Sequence, residues 1–118
     1  MGQVTPWGID KVQAPQAHAN GITGAGVDVA IIDTGINYNH PDLASNYQSG
    51  YDFVNSDNDP IDDTGHGTHV AGTVAAINND FGVIGVSPEV NLYALKVLDA
   101  SGSGSYSNII SAIDWAYR

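Results

Sequence analysis

An aspartate and a histidine stand 33 residues apart in this chain, each in a setting suited to proton chemistry. Asp33 closes the apolar run Val27-Asp28-Val29-Ala30-Ile31-Ile32. His66 lies in Thr64-Gly65-His66-Gly67-Thr68-His69-Val70-Ala71-Gly72. A general-base imidazole needs one nitrogen free to take a proton and the other held as donor to an acceptor. A carboxylate at a strand end can be that acceptor and can stabilise the imidazolium formed later. The positive end of a helix beginning at His66 would oppose the imidazolium, and a partnered carboxylate offsets that cost. Together the two residues make up two parts of a Ser-His-Asp arrangement.

The elements that must position the pair follow from periodicity. Val27 to Ile32 is β-branched and almost continuously apolar, the pattern of a parallel strand covered on both faces. Asp33 then falls at its carboxyl end, where chemistry collects in open α/β sheets. Residues 66–77 read as a helix, with Val70, Val74 and Ile77 at i, i+4, i+7 and small residues elsewhere. Residues 12–20 read as an alanine-rich helix with Pro15 in its first turn, and residues 21–26, with three glycines, as a turn. Residues 51–54 read as a short strand, 55–65 as an acidic loop, 91–98 as a second buried strand, 101–104 as a flexible loop. From Ser105 onward, Tyr106, Ile109, Ile110, Ile113, Ala116 and Tyr117 recur at helical spacing, with Asp114 and Arg118 as an i, i+4 pair. Alternating strands and helices give an α/β architecture with a parallel sheet, in one domain. Two or three strands leave an open, apolar sheet edge.

Composition narrows the partners. Thirteen acids against three bases give a net charge of −10, which argues against nucleic acid and favours divalent cations or simple solubility. Charged residues are only 14% of the 118, as expected where strands are covered on both faces. The absence of cysteine excludes disulfides and thiolate metal sites. No apolar run is long enough to cross a membrane, and no basic-then-apolar leader stands at the N-terminus.

The motifs together resemble one family. Ile31-Ile32-Asp33-Thr34-Gly35, His40-Pro41-Asp42-Leu43 and His66-Gly67-Thr68-His69-Val70-Ala71-Gly72-Thr73 are similar to the aspartate and histidine motifs of the subtilisin family of serine endopeptidases. The order, aspartate before histidine, is that of the family, and the likeness runs from about Gln3 to Arg118. It implies part of a three-layer subtilisin-like fold, a mainly parallel sheet flanked by helices, incomplete at the C-terminus. Residues 1–118 would be the N-terminal portion of one catalytic domain. It implies that Asp33 orients His66 and that His66 is the general base and acid of peptide-bond hydrolysis through an acyl-enzyme. Family catalytic domains are more than twice this long, and their serine motif and oxyanion-hole asparagine do not occur here. Ser87, Ser101, Ser103, Ser105, Ser107 and Ser111 lack that context. This chain alone is therefore expected to be inactive.

The resemblance also implies binding residues. A calcium ion would be held by Gln3, Asp42, Ile77, Asn79, Phe81 and Val83, with carbonyls from Ile77, Phe81 and Val83; without the resemblance, 77–83 reads as an ordinary turn. A second calcium site would use Asp52, Asn55, Asp57, Asp59 and Ile61, with Asp62 and Asp63 outside it or merely solvated. Peptide would lie as an added strand along Ser101, Gly102, Ser103 and Gly104, with Leu98, Tyr106 and Ile109 lining an apolar pocket; the alternative for these three is core packing. The implied partners are a peptide or protein substrate, a pro-peptide, and a Ser-bearing remainder as a separate chain. The implied location is extracellular.

Other readings remain beside this one. The chain could be a calcium-binding, catalytically inactive fragment that complements a Ser-bearing chain. It could be a zinc hydrolase using His66, His69 and an aspartate, although His69 also reads as a buried structural histidine. A nucleotide-binding α/β domain lacks its glycine-rich turn. His40 reads as a turn residue, His18 as a surface residue, and Trp7 and Trp115 as packing residues.

Overall fold

The computed structural model describes residues 2–118. Three parallel strands form one sheet: β1 (Asp28–Asp33), β2 (Tyr47–Asp52) and β3 (Asn91–Lys96), in the order β1-β3-β2. Because every strand runs the same way, the sheet's carboxyl edge gathers three charged residues in register, Asp33 and Asp52 each opposite Lys96. Helices α1 (Trp7–Lys11) and α2 (Ala14–Ala19) precede the sheet, α3 (His66–Ala75) lies between β2 and β3, and α4 (Tyr106–Tyr117) follows β3.

Alternation along the strands divides the core into two layers. Ile31, Leu92 and Ala94 pack with Ala71 and Ala75 of α3, while Leu95 and Val97 pack with Ala112 of α4, joined by the half-buried Ala30, Ile32, Ile109 and Trp115. The result is helix, sheet, helix, the α/β class with the parallel sheet expected.

Several boundaries differ from the sequence reading, each for a local reason. The helix expected over 12–20 is shorter, α2 at Ala14–Ala19, and a separate helix, α1, precedes it; Gln13, in a left-handed conformation (φ 65°), divides the two. Strand β2 starts at Tyr47 and stops at Asp52, whose carboxylate turns the chain by accepting from the N–H groups of Val54 and Asn55. Helix α3 ends at Ala75 because Ala76 is extended (ψ 132°), and β3 ends two residues early, at Lys96. Helix α4 begins where Ser105 caps it by accepting from Asn108 N–H. Its buried side is Ile109, Ala112 and Trp115, so Tyr106, Ile110, Ile113 and Tyr117 of the apolar set are exposed. Trp7 is also exposed, at 78%, and does not pack as expected, while Trp115 lies against Tyr93.

Candidate active site

Asp33 is the last residue of β1 and His66 the first of α3, so strand end and helix start must meet for the two to interact. They meet because Gly67 has no side chain: a Cβ there would collide with the Gly35 carbonyl. His66 Nδ1 lies 2.8 Å from Asp33 Oδ1, which also accepts the Thr34 N–H at 2.6 Å. The His66 side chain is 70% exposed and that of Asp33 13%. Among the described residues the imidazole's other nitrogen, Nε2, has no hydrogen-bond partner, so it is open to an incoming proton. A carboxylate acceptor on Nδ1 holds that proton in place and leaves Nε2 as the base.

A second layer of bonds fixes this junction. The first N–H groups of a helix have no partner inside it. In α3 the His66 N–H reaches the Thr64 hydroxyl (3.3 Å), Gly67 N–H the Thr34 hydroxyl (2.8 Å), Thr68 N–H the Asp62 carboxylate (2.9 Å), and His69 N–H the Gly65 carbonyl (3.0 Å). Asp62 also accepts from the hydroxyls of Thr34 (2.8 Å) and Thr68 (2.6 Å) and from Thr64 N–H (3.0 Å). Burial pushes the Asp62 carboxyl up, but hydrogen bonds from the Thr68 hydroxyl and the N–H groups of Thr64, Gly65 and Thr68 outweigh it and hold the group well below the usual carboxylate range. Asp62 is therefore not merely solvated. Lys96, 2% exposed, donates to the Thr34 carbonyl at 2.6 Å and to Asp63 at 2.9 Å, tying the turn after Asp33 to the segment before His66. Sequence reasoning missed both residues. A lysine inside an apolar strand pattern was the available signal for Lys96; Asp62 offered none beyond its place four residues before His66.

The residues expected around peptide fall into two groups. Ser101, Gly102, Ser103 and Gly104 form an exposed loop closed by the Asp99 carboxylate, which accepts from Ser101 N–H, the Ser101 hydroxyl and Ser103 N–H. Those bonds hold the Asp99 carboxyl below its ordinary range. Leu98 and Ile109 are half-buried against the core cluster of Leu95, Val97 and Ala112, whereas Tyr106 stands free at 87% exposure.

The residues expected at the first calcium position come together at one point. A bridge between Val4 and Val83 brings Gln3 to the 77–83 loop. There its side-chain nitrogen faces four oxygens: Ile77 O at 2.7 Å, Asn79 Oδ1 at 2.9 Å, Val83 O at 3.1 Å and Phe81 O at 3.4 Å. An amide nitrogen has two hydrogens, so four acceptors exceed what it can serve. Turning the carboxamide over would place a fifth oxygen among them. The Asp42 carboxylate, 3% exposed, accepts from Asn79 Nδ2 at 2.8 Å. Asp80 is exposed.

The second group is arranged otherwise. The Asp52 carboxylate is 2% exposed and accepts from Val54 N–H (2.8 Å), Asn55 N–H (3.0 Å) and Asn55 Nδ2 (2.9 Å). Asp57 Oδ1 accepts from Asp59 N–H, and Asp59 accepts the Tyr38 hydroxyl at 2.7 Å. Ile61 is half-buried beside them in sequence. Among the described residues no three His, Cys, Asp or Glu side chains gather closely enough to hold a metal, so His66 and His69 have no third zinc ligand. His69 is exposed, contrary to the reading of it as buried, and lines a groove of about 720 Å³ along α3 with Ile9, Leu43 and Ile84. His40 sits in its turn, accepting from Asp42 N–H, and His18 lies 2.8 Å from the Val86 carbonyl.

A parallel α/β sheet with a carboxylate–imidazole pair at its carboxyl edge matches a known family: residues 24–118 fit the model of the subtilase family, Peptidase_S8. The chain belongs to that family. It is 57% identical over 116 residues to an alkaline protease of Alkalihalobacillus alcalophilus, covering 98% of this chain and 30% of the relative. It is 57% identical over 114 residues to Subtilisin Savinase of Lederbergia lenta, covering 97% and 41%, and 54% identical over 115 residues to Subtilisin E of Bacillus subtilis (strain 168), covering 97% and 30%. The chain thus spans well under half the length of these relatives. No helix among the described residues is long and apolar enough to cross a membrane.

Proposed function

We propose that these residues supply the aspartate and histidine of a secreted serine endopeptidase acting on peptide or protein substrates. The observation that carries this is the 2.8 Å contact of His66 Nδ1 with Asp33, which leaves Nε2 open on an exposed ring. His66 Nε2 takes the proton of a serine hydroxyl as that oxygen bonds to the scissile carbonyl carbon. The same proton passes to the leaving amine as the C–N bond breaks. A water then repeats the cycle and frees the acid. Asp33 keeps the ring oriented and stabilises its charge. The serine and the oxyanion-hole asparagine come from outside these 118 residues, and the chain alone is inactive.

Extended peptide lies along Ser101–Gly104, where exposed backbone and two glycines permit strand addition. A pro-peptide and the Ser-bearing remainder are the further partners. Calcium fits the oxygens around Gln3, because carbonyl and carboxamide donors suit a hard cation. Gln3, Asp42, Ile77, Asn79, Phe81 and Val83 would hold it, and it would supply structural cross-linking of the N-terminus to the loop. A second ion at Asp52, Asn55, Asp57, Asp59 and Ile61 requires those carboxylates to exchange their internal donors. The alternative, a calcium-binding fragment that complements a separate Ser-bearing chain, draws support from the exposed apolar side of α4, where Tyr106, Ile110, Ile113 and Tyr117 are 56–90% accessible.

The test is hydrolysis of a peptide substrate by the Ser-bearing protease and its Asp33→Asn variant. Loss of about 10⁴-fold in kcat is expected, a size established for subtilisin and other triads rather than calculated from this geometry. A loss under tenfold would sink the assignment. The isolated 118 residues should show no turnover.

A further inference from the structure

Asp62 bonds to both halves of the Asp33–His66 junction without touching either catalytic side chain. One carboxylate oxygen accepts the hydroxyl of Thr34, the residue after Asp33; the other accepts the N–H and hydroxyl of Thr68, in the first turn of the helix that His66 opens. The Thr34 hydroxyl in turn accepts Gly67 N–H, next to His66, and the Thr68 hydroxyl accepts Asn37 N–H. Thr34 is buried, at 2% exposure, and Gly67 is buried with it, so the Thr34–Gly67 bond is shielded from water, while the bonds to Asp62 are half-buried. The fixed charge of Asp62 also stands at the helix end whose dipole disfavours an imidazolium.

We propose that Asp62 is a positioning residue of the proton relay, a strut that sets the distance between Asp33 and His66 and a charge that offsets the helix dipole at His66. This rests on His66 acting as the base. Of the other charged groups, Asp33 at the end of β1 contacts His66; Asp63, paired with Lys96 of β3, precedes it in sequence, and His69 follows one turn along α3. Asp62 places negative charge at the amino-terminal end of α3, so its removal leaves the helix dipole less opposed there.

The experiment compares the Ser-bearing protease with its Asp62→Asn variant. The expected result is kcat lower by about 10–100-fold with KM within twofold, since small misplacements of a reacting pair are costly. The acidic limb of kcat/KM should move to lower pH. A merely structural carboxylate would lower Tm and leave that limb in place, which overturns the proposal, as does kcat within twofold of the parent. Thr34→Val keeps the charge and breaks the strut, so it serves if Asp62→Asn does not fold. It should lower kcat without moving the limb, and unchanged kcat in Thr34→Val then overturns the proposal. Labelling of the parent protease by a fluorophosphonate separates the two failures. A labelled parent with an indifferent Asp62→Asn rejects the strut alone, whereas an unlabelled parent rejects the serine-protease reading beneath it.

Discussion

Two loops flank α3 on this molecule, and they use oxygen in opposite ways. Residues 55–65 carry four carboxylates, and each is engaged from within the protein: Asp57 by Asp59 N–H, Asp59 by the Tyr38 hydroxyl, Asp62 by three threonines, Asp63 by Lys96. Residues 77–83 carry one carboxylate, the exposed Asp80, yet carbonyls of Ile77, Phe81 and Val83 and the Asn79 side chain all face Gln3. The count of acids is therefore a poor guide to where a cation belongs. Acids in the first loop cap a helix and brace the His66 junction. Neutral oxygens in the second, turned inward by alternation of the backbone, are the ones in excess of their donors.

The sharpest way to break this contrast is to remove one acid from each side. Asp52, which closes the strand leading into the acidic loop, is buried with three donors, so Asp52→Ala leaves the N–H groups of Val54 and Asn55 without their acceptor and should cost about 3 kcal/mol in denaturant unfolding. Asp80→Ala should change stability by no more than about 0.5 kcal/mol. Comparable losses would erase the distinction. A slightly smaller effect is expected from calcium: at about 100 times its Kd it should stabilise the chain by about 2.7 kcal/mol. Gln3→Ala and Asn79→Ala should abolish that gain in melts with and without chelator. A second bound ion lost in Asp57→Ala would show that the acidic loop also opens to metal.

The smallest effect concerns the aromatic pair beside Asp59. Burial, with smaller contributions from Tyr38 and Asp59, pushes the Tyr47 phenol up to about 12 from 10.0. A raised folded-state pKa favours the protonated form, so its contribution is complete below about pH 10 and is lost as pH climbs toward 12. Tyr47→Phe should flatten stability across that window. An unchanged alkaline slope would mean that Tyr47 is not the group that titrates.

Much of this was legible in the chain, and what was missed has a physical reason. The apolar run ending at Asp33 and the small-residue helix opening at His66 define both partners, because strand burial and helical spacing are local signals. The α1–α2 break at Gln13 was not legible, since left-handed backbone at a glutamine has no propensity signature. Nor was the exposed side of α4: periodicity marks an apolar stripe but not which part of it a neighbour covers. Asp62 looked like one more charge in a solvated loop because its role depends on Thr34, 28 residues away, and no spacing rule joins them. Lys96 was hidden among leucines for the same reason.

The central claim is that Asp33 and His66 together activate a serine. The most direct measurement is intact-mass detection of fluorophosphonate labelling in the Ser-bearing protease, beside its His66→Ala variant and the isolated 118-residue chain. The account requires one adduct on the parent, labelling slowed at least about 10³-fold in His66→Ala, and none on the isolated chain. Equal labelling of parent and His66→Ala, or an adduct on the 118 residues themselves, would contradict it.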